Sequence, residues 1–190
     1  MKPFLQRAAV TLRAWGYRGS GQNYRRLVED NVFVVNFQKS RDGRGFFVNL
    51  GSQPCSIPDE GERDANPKTL KEYECVFRQR LPGEHPVNMS PEDTDALLAT
   101  LGSARETFEA TILGMRESSR RGREAELFDQ RRFMGPAPRA ALILARLQAA
   151  DGHAEGARRL AEFAVSNANG ARLLQAAAER LLATLAAAIE

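Results

Sequence analysis

The stretch from Val32 to Gly51 reads VFVVNFQKS, then RDGR, then GFFVNLG, and it specifies a β-hairpin together with its register. Asp42-Gly43 suits a two-residue type I′ turn, whose central residues both take positive φ, and apolar alternation flanks it on both sides. Counting outward sets Arg41 against Arg44, Lys39 against Phe46, Phe37 against Val48 and Val35 against Leu50. With Phe33, these apolar pairs share one face, the core face. The opposite face then carries Gln38 across from Phe47 and Asn36 across from Asn49, with Val34 and Ser40 at its ends. This amide-rich stripe is the best candidate for a site, because adjacent donors and acceptors can engage a peptide, a base edge or a small polar ligand. An antiparallel sheet covered by helices on one side ordinarily has a polar, solvated second side. Phe47 argues for more than that, since an aromatic among amides is a common interface anchor.

The segments around the hairpin extend it into a fold. Phe4, Leu5, Ala8, Ala9, Leu12 and Trp15 recur at helical spacing, predicting a helix from Pro3 to Trp15 that ends at Gly16. NYRRLV then pairs with VFVVNF through a tight turn at Asp30-Asn31. After the hairpin, SQPCSIPDEGERDANPK reads as a long surface loop. In YECVFRQRL, Cys75, Phe77 and Gln79 alternate with Val76, Arg78 and Arg80, as in a fourth strand with one charged face. Ser90-Pro91-Glu92-Asp93 is a helix start, with Ser as cap, Pro in the first turn and acids at the positive end of the dipole. Leu97, Leu98, Leu101, Phe108, Ile112 and Met115 continue it as a long helix packed across the sheet. A charged interval with a short helix, ESSRRGREAELFDQRR, follows and ends at Gly135-Pro136. Helices at 137–150, 154–167 and 171–189, parted by Asp151-Gly152 and Asn169-Gly170, complete the chain. The reading is an α+β domain over residues 1–135 with an Ala-rich helical extension over 136–190 packed on it. Leu144, Gly152, Ala157 and Ala164 in that extension are spaced similarly to a tetratricopeptide helix pair, but one pair makes no extended concave surface.

Composition narrows the chemistry. With 27 basic against 24 acidic residues in 190, the chain permits a polyanionic partner without requiring one. Only Lys2, Lys39, Lys68 and Lys71 are lysines, a bias toward arginine that accompanies abundant Ala and points to a GC-rich bacterial genome. Arg7 and Arg13 interrupt what would be the apolar core of a signal peptide, and no stretch reaches the roughly 20 apolar residues of a membrane span. A cytoplasmic location with reduced Cys55 and Cys75 is the expectation, with no membrane partner. His85 and His153 are isolated from each other and from the cysteines, so neither a metal nor another cofactor is expected. No P-loop, GxSxG elbow, HExxH or paired CxxC occurs, and no catalytic residue stands out. The glycines of Gly19-Ser20-Gly21 and Gly43-Arg44-Gly45 are turn glycines, and Ser118, Ser119 and Ser166 have no evident His and acid companions. Arg78 and Arg80, with Arg120, Arg121 and Arg123, suit single-stranded RNA in type, but Glu117, Glu124 and Glu126 dilute the field.

The block NFQKSRDGRGFFVNLG, preceded by a helix ending in Gly16-Tyr17 and a Tyr-Arg-rich strand, resembles the bacterial domain-of-unknown-function family numbered 4304. The resemblance covers the first half of the chain, at Asn36 to Ser40 and Phe46 to Gly51, and implies helices on an antiparallel sheet without implying an activity. It also implies that Gln38, Ser40, Asn49 and Gly51 belong to the family's pattern. The functional expectation is a non-enzymatic binding or accessory protein, of which an immunity-type inhibitor is one form, holding a protein partner on the polar sheet face. Its candidate residues are Asn36, Gln38, Ser40, Phe47, Asn49 and Arg78. The alternative is an RNA- or nucleotide-associated protein, hydrolytic or not, using the same amides with Arg78 and Arg80. The sequence specifies no oligomeric state.

Overall fold

A computed structural model of the protein describes residues 1–59, 61–123, 127 and 131–187. The elements are α1 (Lys2–Ala14), β1 (Arg18–Ser20), β2 (Asn23–Val28), β3 (Asn31–Lys39), β4 (Gly45–Pro54), β5 (Phe77–Arg80), β6 (His85–Pro86), α2 (Pro91–Arg120), α3 (Ala137–Ala150), α4 (Ala154–Ser166) and α5 (Arg172–Ala187). Backbone contacts divide the chain into two compact units, Met1–Ala110 and Thr111–Glu190, with the junction inside α2. Gly135-Pro136, where composition changes, lies within the second unit.

In the first unit the strands run antiparallel in the order β1-β2-β3-β4-β5, and β6 pairs with the start of β4. The expected meander is present, with β1 and β6 as short additions. The hairpin register agrees with the sequence count at every pair from Lys39↔Phe46 to Val35↔Leu50. Its turn does not agree. Of the two central residues, only Gly43 has positive φ, at +75°. The loop runs over residues 41–44, closed by Ser40 N–H donating to the Gly45 carbonyl at 2.9 Å. Asp42 keeps an ordinary φ because its Oδ1 lies 2.7 Å from Ser40 Oγ and accepts from Arg44 N–H at 3.0 Å, a local side-chain turn that competes with type I′. The register survives because both loops place Ser40 opposite Gly45. The β2–β3 turn likewise sits one residue earlier than expected, with Glu29 in the left-handed region at φ 53° and Asn31 already in β3.

The inner face carries Tyr24, Phe33, Val35, Phe37, Phe46, Val48, Leu50 and Phe77, all at most 1 % exposed. On α1, Phe4 stacks edge-on to Phe37 at 5.2 Å and tilted to Phe46 at 4.8 Å, and on α2 Phe108 meets Phe33 edge-on at 6.4 Å. Each such pair contributes about 0.5–1.5 kcal/mol beyond its area. Ser90 Oγ accepts from Asp93 N–H at 3.0 Å, so the cap read from the sequence starts α2.

The outer face departs from the expectation of a solvated side, because the segment after β4 folds back over it. Val32 and Val34 are buried there under Leu70 and Cys75, with Ala65 against the cluster. Cys75 therefore does not share a face with Phe77: the 3₁₀ turn Glu72–Glu74 ends before the strand begins, leaving Cys75 outside it. Gly51 makes room for this, since a Cβ there would meet Cys75 Sγ at 2.9 Å. Gln53, fully buried, staples the segment: its Nε2 donates to the carbonyls of Pro54, Ile57 and Pro58 at 2.9–3.1 Å, and its Oε1 accepts from Val76 N–H at 3.1 Å. Asp59 clamps the tip, accepting from the amides of Gly61 at 2.7 Å and Arg63 at 3.0 Å and pairing with the Arg63 guanidinium at 2.9 Å.

In the second unit, α3, α4 and α5 pack successively, with Leu144, Ala157 and Ala164 buried between helices. Gly152 at φ 82° and Asn169-Gly170 at φ 46° and 85° make the connections. Arg116, 2 % exposed, forms a two-pronged pair with Asp151 at 2.9 and 3.2 Å, and Asp151 also accepts from Ser119 Oγ at 2.5 Å. The short helix expected in the charged interval falls largely outside the described residues. Both cysteines are free thiols. Among the described residues no helix is long and apolar enough to cross a membrane.

Two stability experiments test this fold. Gly43→Val places a β-branched residue in the left-handed region and is expected to cost more than about 1 kcal/mol in urea unfolding. Burial pushes the Asp59 carboxyl up, but the hydrogen bonds from Arg63 and Gly61 outweigh it and hold the group below its ordinary value. A carboxyl depressed by folding stabilises above its unfolded value and loses that contribution as pH falls through the folded one. Stability measured across the acid range is therefore expected to fall less steeply for Asp59→Asn than for the wild type.

Candidate functional site

The hairpin register and its neighbours place one residue from each of four strands in a single row across the outer face: Asn23 (β2), Asn36 (β3), Asn49 (β4) and Arg80 (β5). Side chains directly opposite one another lie within reach, and here they join into a continuous ladder. Asn36 Nδ2 donates to Asn23 Oδ1 at 3.0 Å, and Asn49 Nδ2 donates to Asn36 Oδ1 at 3.1 Å and to Gln38 Oε1 at 3.2 Å. Arg80 closes it, with Nε donating to Asn49 Oδ1 and Nη2 to Gln38 Oε1, both at 2.8 Å. The same guanidinium lies over the ring of Phe47, 4.6 Å from its centroid.

The ladder changes the character of the stripe. Asn49 is 2 % exposed and both of its amide protons are engaged, so it organises its neighbours instead of reaching outward. Asn36 is half-buried and also committed on both sides. Gln38 is exposed and uses only its oxygen, leaving its amide protons at the surface, beside the half-exposed ring of Phe47 and the exposed guanidinium of Arg80. Ser40 serves the hairpin turn, its Oγ accepting from Gly45 N–H at 2.9 Å. Arg78 stands on the same face as Arg80, opposite Gly51, with Nη1 donating to the Tyr73 carbonyl at 3.5 Å. Asn23 escaped the sequence reading. The signal was present, since Asn23 faces Asn36 once the β2–β3 turn is placed at Glu29-Asp30.

Two other polar networks are internal. Tyr17 donates to Glu109 Oε1 at 2.6 Å, and Glu109 Oε2 accepts from Arg26 at 3.1 Å and Arg105 at 3.2 Å, with Arg105 lying over Trp15. Burial and the Glu109 charge hold the Tyr17 hydroxyl far above its ordinary range, so it stays a donor. Ser119 is fully buried, its Oγ donating to Asp151 at 2.5 Å and accepting from Gln148 Nε2 at 3.1 Å. Among the described residues no cluster of three His, Cys, Asp or Glu side chains is placed to hold a metal ion.

Residues 8–107 match the family model described as Domain of unknown function (DUF4304). The chain belongs to that family. The matched span contains the second half of α1, all six strands and most of the first-unit part of α2, and so includes every residue of the amide ladder. No match was found among curated proteins or among solved structures. Within this DUF4304 domain, the Gly16-Tyr17 pair has a clear physical role: Gly16, at φ 86°, follows the end of α1, and Tyr17 anchors the buried Glu109 network.

The ladder predicts a specific cost. Asn49→Ala strips Arg80, Asn36 and Gln38 of partners at once, and urea unfolding is expected to show a loss of about 1–3 kcal/mol, the range for leaving buried polar groups unpaired.

Proposed function

We propose that this DUF4304 protein is a cytoplasmic, non-enzymatic binding or accessory protein that holds a protein partner on the outer sheet face, around Asn36, Gln38, Phe47 and Asn49. An immunity-type inhibitor is one form such a protein takes. The observation that carries this reading is the stack of Arg80 on Phe47, pinned beneath by Asn49 and Gln38. Arginine and aromatic side chains are the residues that most often dominate protein interfaces. Groups already fixed in place lose less rotamer freedom when a partner arrives. The free thiol of exposed Cys55 suits a reducing compartment.

Binding of single-stranded RNA is less well supported by the same geometry. Base stacking needs an open aromatic face, and the guanidinium already covers one face of Phe47. The two readings differ in salt dependence, because neutralised phosphates release counterions as a strand binds.

The test is capture from bacterial lysate with and without nuclease, comparing the wild type with a Gln38→Ala, Phe47→Ala double variant of unchanged melting temperature. A protein partner that resists nuclease and high salt and is lost from the variant is the expected outcome. Nucleic acid that co-purifies and disappears with nuclease would replace this reading with the RNA one.

A further inference from the structure

Several arginines of the first unit are paired with carboxylates, while Arg25 donates to the backbone carbonyls of Leu70 and Thr69. Arg26 and Arg105 share Glu109, Arg63 bridges Asp59 and Glu74, and Arg7 pairs with Asp95. Arg80 is different. Its hydrogen-bond partners are the neutral amide oxygens of Asn49 and Gln38, and its face rests on a neutral ring. Arg78, two residues away on the same face, bonds to a backbone carbonyl. Among the described residues neither arginine forms an ion pair. Glu72 is the acid whose field they share: burial pushes its carboxyl up, the charges of Arg78 and Arg80 pull it down, and it forms no direct ion pair with either.

Among the described residues, three groups thus keep donors that no direct carboxylate contact uses: Nη1 of Arg80, the Arg78 guanidinium beyond its bond to Tyr73, and the amide of Gln38. From these we infer that the outer face is a receptor for carboxylates, and that its occupant is an extended acidic segment of a protein partner. The inference rests on the reading of this face as a protein-binding surface and names the chemistry it selects. A guanidinium held in one orientation by its own Nε and Nη2 presents its remaining edge without losing further rotamer freedom, and a planar fork matches a carboxylate well. Residues i and i+2 on one face of a strand lie about 6.7 Å apart, so Arg78 and Arg80 match acidic residues at alternate positions of an extended chain. β5 is the last strand in the sheet order and pairs with β4 alone, so the two arginines stand at the border of the sheet. A nucleic-acid strand fits less well, because it would use the Phe47 ring face that Arg80 occupies.

The experiment is an NMR titration of the isotope-labelled full chain with the blocked tetrapeptide Ac-Glu-Val-Glu-Val-NH2. The Gln-Val-Gln-Val version and a short oligouridine are run beside it. Saturable shifts are expected at the Arg80 Nε–H and the Gln38 side-chain amide, at least ten-fold weaker with the Gln peptide. Arg80→Gln is expected to abolish them in a protein whose spectrum stays dispersed, while Arg80→Lys keeps the charge, loses the fork and binds at an intermediate level. Equal shifts with both peptides, or no shift on this face, would overturn the inference, as would tighter binding of the oligouridine. If a captured partner depends on Gln38 and Phe47 but is indifferent to Arg80→Gln, the acidic occupant fails while the protein-binding face stands.

Discussion

From Asn31 to Val35 β3 is covered on both faces, and the rest of the first unit is arranged around that fact. Its inner side chains, Phe33, Val35 and Phe37, meet the helices through Phe4 and Phe108, and its outer Val32 and Val34 lie beneath Leu70 and Cys75. A strand buried on both sides reads as a near-continuous apolar run, and VFVV is such a run. Because successive side chains alternate faces, a slip of one residue would exchange the two cores, and the register is strongly specified.

The outer face divides at the point where this second core ends. Toward Val34 the segment after β4 covers the sheet, held by Gln53 and Asp59, whose hydrogen bonds satisfy a stretch of backbone with no ladder of its own. Toward Asn36 and Gln38 the cover stops and the amides begin. A half-buried amide needs partners, and each here finds them on the adjacent strand, so the row from Asn23 to Arg80 satisfies itself before any ligand arrives. Its outermost members, Gln38, Phe47 and Arg80, are the ones with capacity left over, which is why the functional reading rests on them instead of on the asparagines.

Much of this was legible in the chain. The hairpin pairs, the capped start of α2, the first helix and the three terminal helices all follow from local patterns: alternation, a Ser-Pro-Glu-Asp start, Gly and Asn at turns. The errors have local causes too. Asp42 bonds to Ser40 and Arg44, and that side-chain turn overrode the Asp-Gly preference for type I′ without changing the register. Placing the β2–β3 turn one residue late moves every partner by two, which preserves the faces but hides the pairing of Asn23 with Asn36.

The sequence by itself determined which residues of the hairpin share a face, because period two and a short loop leave no other pairing. It also determined that Asn36 and Asn49 stand together, along with the family to which the chain belongs. Tertiary structure alone decided what covers those faces. Cys75, Leu70 and Gln53 are separated in the chain from Val34 by up to about forty residues of sequence, and nothing in a polar, Pro-rich loop announces that it will close on a sheet. The partner of Arg80 was hidden for the same reason. A guanidinium in a sequence is compatible with any nearby acid, and only the packed sheet set it against two amides and a ring.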